Sequence, residues 1–180
     1  FIHTSSLVHD DLPCMDNDKF RRGRETTWVR YGYDMAVLAG DALLMYAIET
    51  AASAFSLSDK SVNVGSAIRI LANKTGIYGM IGGQTADVEL TGKPIGEEVL
   101  DFIYHLKTGA LLEASMMIGA VLADASVEDI AITEKIASRI GFAFQIQDDI
   151  LDVTSTTEAL GKPVHSDERN EKTPFVSLYG

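Results

Sequence analysis

Four carboxylates fall within nine residues, at Asp10, Asp11, Asp16 and Asp18, and two guanidiniums follow at Arg21 and Arg22. Far along the chain, Asp148-Asp149-Ile150-Leu151-Asp152 supplies three more carboxylates. Acids set this close repel one another unless a cation sits among them. The hard ion Mg²⁺ suits Asp oxygens, keeps several waters and bridges to substrate phosphates. Arginine beside such a site grips phosphate oxygens through two N–H groups at once. These residue types and spacings point to two acidic walls, metal ions between them and a diphosphate in the middle.

The elements that must position these groups read as helices. Residues 1–12 form a first helix with Ile2, Leu7, Val8 and Leu12 apolar, and Pro13 interrupts or kinks it. Asp10 and Asp16 are six apart, a spacing that a straight helix does not align; a kink at Pro13 returns them to one ion. The charged stretch 16–27 with Gly23 reads as a loop, and 34–55 as a strong helix capped by Asp34. Further helices are expected at 62–80, continuing through Gln84 and Asp87, at 97–122 carrying Lys107-Thr108-Gly109, and at 127–153 carrying the second acidic group. Residues 155–172 read as a polar loop, and Thr173-Pro174 opens a last helix. No alternating strand pattern of useful length occurs. The expectation is an all-α chain, a large antiparallel helical bundle with a central apolar cavity.

Each candidate has a plainer alternative. Asp148 and Asp152 share a helix face with Gln145, and a solvated acidic stripe is the bland reading. The apolar neighbours Phe142, Ile146, Ile150 and Leu151 weigh against it. The first acidic group alone suits an ordinary helix-end loop. Lys107 alone suits a lysine whose stem crosses apolar surface to reach water. Lys162 and Lys172 fit a solvated loop, Gln84 and Asp87 a polar pair in the core, and His3 a plain helical residue. His105 and His165 read as solvated, and Met116, Met117, Phe142 and Phe144 as core or cavity lining.

The chain has 180 residues, 46% hydrophobic, with a net charge of -11 and four prolines. That supports one domain with a substantial core. The negative charge argues against nucleic acid as a partner, whereas a small anion remains possible where metal ions invert the local field. Cys14 is the single cysteine, which excludes an intrachain disulfide and fits a reducing, cytoplasmic compartment. No apolar run reads as a membrane span. The chain opens on Phe1 inside an apparent helix and stops at Gly180 just after another begins, so residues 1–180 are expected to be one domain cut at both ends.

At this point the motifs resemble those of the trans-isoprenyl diphosphate synthases of the farnesyl/geranylgeranyl type. Asp10-Asp11-Leu12-Pro13-Cys14-Met15-Asp16 is similar to the family's first aspartate-rich motif, in the form with a two-residue insertion, and Asp148-Asp149-Ile150-Leu151-Asp152 to the second. The likeness also runs, in order, through His3, Arg21-Arg22, Gly40-Asp41-Ala42-Leu43-Leu44, Gly83-Gln84, Lys107-Thr108-Gly109, Gln145, Gly161-Lys162-Pro163 and Lys172. The family's Gly-Lys-Arg segment for isopentenyl diphosphate is not within these residues.

The resemblance implies an isoprenoid synthase bundle, working as a homodimer, that condenses isopentenyl diphosphate head-to-tail with a five- to fifteen-carbon allylic diphosphate. It implies three Mg²⁺, with Mn²⁺ as an alternative, held mainly by Asp10, Asp16 and Asp148 and supported by Asp11, Asp149 and Asp152. Arg21, Lys107 and Lys162 would hold the allylic diphosphate, Thr108 and Gln145 would flank the reacting carbon, and Arg22 and His3 would bind isopentenyl diphosphate, with Lys172 a further substrate contact. In this family the residues before the first motif form the cavity floor. Ser5 and Ser6 are small, which implies an open floor and a twenty-carbon product, with fifteen carbons the alternative. Two other readings stand beside this one: a class I terpene cyclase, which carries a different second motif, and a non-catalytic regulatory subunit, which tends to lose the acidic motifs.

Overall fold

The computed structural model describes residues 1–156 and Phe175. Eight α-helices in these residues run in order: α1 (Ile2–Asp10), α2 (Thr27–Tyr31), α3 (Tyr33–Ser53), α4 (Ser61–Thr75), α5 (Met80–Leu90), α6 (Glu97–Ile103), α7 (Ala110–Leu122) and α8 (Val127–Thr154). The all-α bundle expected from the sequence is the fold observed.

Small residues set the helix spacing. Ala36 on α3, Ala114 on α7 and Ala137 on α8 are fully buried, so backbones approach closely where α4, α7 and α8 pack together and where α1 meets α3. Gly40 is the close point of the second pair: a Cβ there would overlap the His9 ring, whose Nε2 lies 3.1 Å from the Val37 carbonyl oxygen. A second apolar group, Leu100, Ile103 and Tyr104, packs with Phe142 and Phe175 and ties α6 to α8. The start of α8 is capped by Ser126, whose hydroxyl accepts the Asp129 N–H at 3.0 Å, with Glu128 and Asp129 favouring the positive helix end.

Three features differ from the sequence expectation. The loop 16–27 contains a small antiparallel hairpin, β1 (Phe20–Arg21) and β2 (Arg24–Glu25), closed by Arg22 and Gly23 at φ of 53° and 72°. Left-handed φ at both turn positions is the geometry that tight hairpins favour. The helix expected at 97–122 is broken by a π-helical turn, Tyr104–Gly109. Asp34 does not cap α3; Gly32, at φ 98°, holds that position, and Asp34 sits in the first turn, accepting the Met35 N–H. By length and composition alone, Tyr33–Ser56 is long and apolar enough to cross a bilayer. It packs against α1 and α2 and lines the cavity described next.

Candidate functional site

A cavity of ≈ 1260 Å³ opens between the helices. Asp10, Asp16 and Asp148 all line it, so the two acidic groups, more than 130 residues apart in sequence, face one space. The loop after α1 explains the first pair. The helix stops at Asp10, before Pro13, and the chain doubles back until the Asp16 N–H donates to the Asp10 carbonyl oxygen at 2.9 Å. Backbone reversal, rather than a bent helix, aligns the six-residue spacing.

The other acids divide into two kinds. Asp149 lines the cavity but is 2% exposed and fully engaged, accepting from the Tyr104 hydroxyl, from Gln145 Nε2 at 3.0 Å and from the Phe175 N–H at 2.6 Å. Asp11 and Asp152 are buried and are not part of the cavity wall. Asp11 Oδ1 accepts from Arg21 Nε and lies 2.7 Å from Nη2 of the same guanidinium. Burial pushes the Asp11 carboxyl up and Arg21 opposes that shift; burial also weakens the Arg21 cation, but Asp11, Asp18 and Asp10 outweigh it and raise its pKa. The apolar surround expected for the second motif is partial: Ile150 and Leu151 are exposed, and Phe142 and Ile146 are half-buried.

The cationic and polar groups arrive from several elements. Arg21 reaches the cavity from the hairpin, steadied by Asp18, whose carbonyl oxygen accepts from Thr26 Oγ1 and Trp28 Nε1, each at 2.8 Å. The π turn brings in Lys107 and Thr108, and α8 brings in Gln145. Thr108 Oγ1 donates to Gln145 Oε1 at 2.8 Å. His3 lines the cavity, and its pKa is lowered by partial burial and then by Arg22 and Arg21. Arg22 itself is exposed and not part of the wall. Ser5 and Ser6 line the cavity; Ser5 is buried, with its hydroxyl donating to the Gly40 carbonyl oxygen at 2.8 Å. Lys162 and Lys172, with His165 and the expected last helix, lie outside the described residues.

Two sequence readings change. Gln84 and Asp87 do not pair with each other: Gln84 Nε2 donates to Asp10 Oδ1 at 2.7 Å, and Asp87 Oδ2 binds Lys107 Nζ at 2.6 Å. Both line the cavity, and their i,i+3 spacing on α5 was the available signal. His105 is not simply solvated; its Nδ1 lies 3.2 Å from Ser138 Oγ and 3.3 Å from the buried Glu113.

The donor set fits Mg²⁺ carried in with a diphosphate. No cluster of three or more His, Cys, Asp or Glu side chains among the described residues is closed enough to hold a metal unaided. Mg²⁺ is commonly bound by one or two carboxylates, waters and substrate phosphates rather than by an all-protein cage. Asp10, Asp16 and Asp148 are the groups so exposed to the cavity, and the carbonyl oxygen of Gln84, beside Asp10, is buried without a hydrogen-bond partner. The wall also includes apolar Leu44, Ala47 and Ala51 of α3 and Leu111 and Leu112 of α7.

Comparisons with known proteins identify the family. The polyprenyl synthetase family model matches residues 1–180. The chain is 45% identical to a geranylgeranyl diphosphate synthase of Cyanophora paradoxa, over 99% of this chain and 60% of that protein. It is 41% identical to a farnesyl diphosphate synthase of Geobacillus stearothermophilus, over 98% of this chain and 60% of that protein. The chain thus spans less than two thirds of these relatives. A crystal structure of a Helicobacter pylori geranyltransferase, complexed with magnesium and isoprenyl diphosphate, superposes with a TM-score of 0.91 at 39% identity, over 98% of this chain and 57% of that one. A match over the whole chain, on a helical bundle whose two acidic motifs meet in one cavity, makes this chain a member of the polyprenyl synthetase family.

Proposed function

We propose that the protein condenses isopentenyl diphosphate head-to-tail with an allylic diphosphate and that residues 1–180 form most of the single all-α domain that does so. The observation that carries this is the convergence of Asp10, Asp16, Asp148, Arg21 and Lys107 at one cavity with an apolar interior. Asp10, Asp16 and Asp148 would hold Mg²⁺, with Asp149 holding Gln145 in place from below. When bound, the metal supplies positive charge to the leaving diphosphate. Arg21 and Lys107 add fixed positive charge on the same oxygens, aimed at where charge develops as the C–O bond breaks. Lys107 must exchange Asp87 for the diphosphate to do this. The Thr108–Gln145 pair presents its oxygens beside the reacting carbon, and the apolar wall keeps water from the allylic cation. The isopentenyl double bond attacks that cation, and the departing diphosphate takes the proton.

Asp11 and Asp152 act behind this layer, Asp11 by orienting Arg21. His3 and Arg22 would bind the second diphosphate. Small Ser5 and Ser6 favour a twenty-carbon product; farnesyl and geranylgeranyl synthases both stand among the relatives, which leaves fifteen carbons as the alternative. The protein works as a homodimer through the exposed face of α3, in a reducing compartment, the cytoplasm.

The test incubates the intact protein with Mg²⁺, isopentenyl diphosphate and five-, ten- or fifteen-carbon allylic diphosphates and reads product length by mass spectrometry. Isopentenyl-dependent elongation is expected, and Asp10→Asn or Asp148→Asn should slow it by about a hundredfold or more. Allylic turnover without isopentenyl diphosphate would indicate a cyclase. No product from any starter would favour a regulatory subunit.

A further inference from the structure

The π turn that carries Lys107 and Thr108 into the cavity is held on three sides. Such turns are rare inside α-helices and persist where the surroundings over-determine them. On α5, Gly83 leaves room for the turn: a Cβ there would overlap the Lys107 backbone nitrogen and stand 2.8 Å from the Leu106 carbonyl carbon. On α8, a Cβ at Gly141 would stand 2.8 Å from Gly109 Cα. The third side is charged. Glu113 on α7 has no exposed surface, and its Oε2 accepts from Lys74 Nζ of α4. Lys74 also donates to Glu134 Oε1 of α8 at 2.6 Å. The other Glu113 oxygen, Oε1, is buried without a hydrogen bond of good geometry and faces His105 Nδ1, within the π turn, at 3.3 Å. A buried carboxylate oxygen left without a donor is costly, and His105 Nδ1 stands between it and Ser138 Oγ of α8, 3.2 Å away. The charge network therefore ties α4, α7 and α8 to the first residues of the turn.

We propose that Glu113 is a positioning residue: pinned by Lys74, it holds His105 and so fixes the π register that presents Lys107 and Thr108 to the diphosphate. The proposal rests on the diphosphate-binding reading above. The register matters because one residue corresponds to about 100° around a helix axis. A turn that relaxed to α geometry would rotate Lys107 and Thr108 away from Asp87 and Gln145, their present partners. Lys74 is a suitable pin: burial works against its charge, but hydrogen bonds from Glu113 and Glu134 outweigh that and raise its pKa.

Glu113→Gln in the intact protein keeps the shape and removes the charge. Three quantities are read: binding of inorganic pyrophosphate with Mg²⁺ by calorimetry, KM for each substrate, and thermal melting. The pyrophosphate Kd and the allylic KM should rise about tenfold or more, with the isopentenyl KM unchanged and the protein still folded. Glu134→Gln, which removes a contact to Lys74 but none to the turn, should leave the pyrophosphate Kd unchanged. A folded Glu113→Gln protein with wild-type pyrophosphate affinity overturns the proposal, as does a uniform loss of all parameters in step with the folded fraction. If Glu113→Gln does not fold, His105→Gln decides: its side chain is half exposed, and the same selective rise in pyrophosphate Kd is expected. An unchanged Kd there overturns the proposal. Absence of isopentenyl-dependent turnover in the wild type counts against the reaction and not against the clamp, which the Kd comparison decides separately.

Discussion

His3 shows how a residue's surroundings set its charge. Its imidazole is partly buried and faces Arg22 and Arg21, so it resists protonation when folded. A folded pKa below the ordinary imidazole range means that the unfolded chain binds more protons there. The stability His3 contributes is therefore present above the unfolded pKa and lost as pH falls through the folded one. Melting followed from pH 7.5 to 5.5 should fall more steeply for wild type than for His3→Gln. Arg21 is tied to stability as well as to the proposed binding. It is the partner of buried Asp11, and Arg21→Gln would strand that carboxylate, costing about 3 kcal/mol. Denaturant unfolding should record this loss, whereas a purely substrate-binding arginine would leave stability unchanged. If Ser5 is the proposed cavity floor, Ser5→Phe should shorten whatever product the wild type makes, read by mass spectrometry; unchanged product length would place the floor elsewhere on the wall.

At the scale of the element, the pairing of α1 with α3 depends on a missing side chain. Gly40 receives the His9 ring, and Ser5 bonds to the Gly40 carbonyl oxygen one turn away. Gly40→Ala must displace His9 from Val37, and overpacking of this kind costs about 1–3 kcal/mol. The double variant Gly40→Ala/His9→Ala should recover part of that loss, because the two changes share one contact. Purely additive destabilisation would show that the strain lies elsewhere.

Across the whole molecule, α3 presents two faces. Leu44, Ala47 and Ala51 line the cavity, while Met35, Leu38 and Met45 are exposed at 51%, 60% and 65%, spaced to share one stripe. An exposed apolar stripe of this kind marks an interaction surface. If it is the proposed dimer interface, Leu38→Glu/Met45→Glu should halve the mass measured by light scattering while leaving helix content intact. A dimer that survives this change would exclude the face.

The chain's own order of residues determined more of this protein than is usual, because its chemistry sits in local patterns. Asp148 and Gln145 share a face through helical spacing alone, the long helices follow from composition, and the two acidic motifs are plain in the chain. Tertiary structure decided what spacing cannot encode. Asp10 and Asp16 meet through a backbone reversal, and Gln84 and Asp87 turn to partners 74 and 20 residues away, not to each other. The π turn packs closely against Gly83 and Gly141 of two other helices, and its His105 faces a carboxylate that Lys74 of a third holds in place. Even within the motifs, spacing did not separate Asp148, on the cavity wall, from Asp152, buried off it. Period and residue type specify which face a side chain shares; which neighbour fills that face depends on how separate helices pack, and that is settled only when the whole bundle assembles.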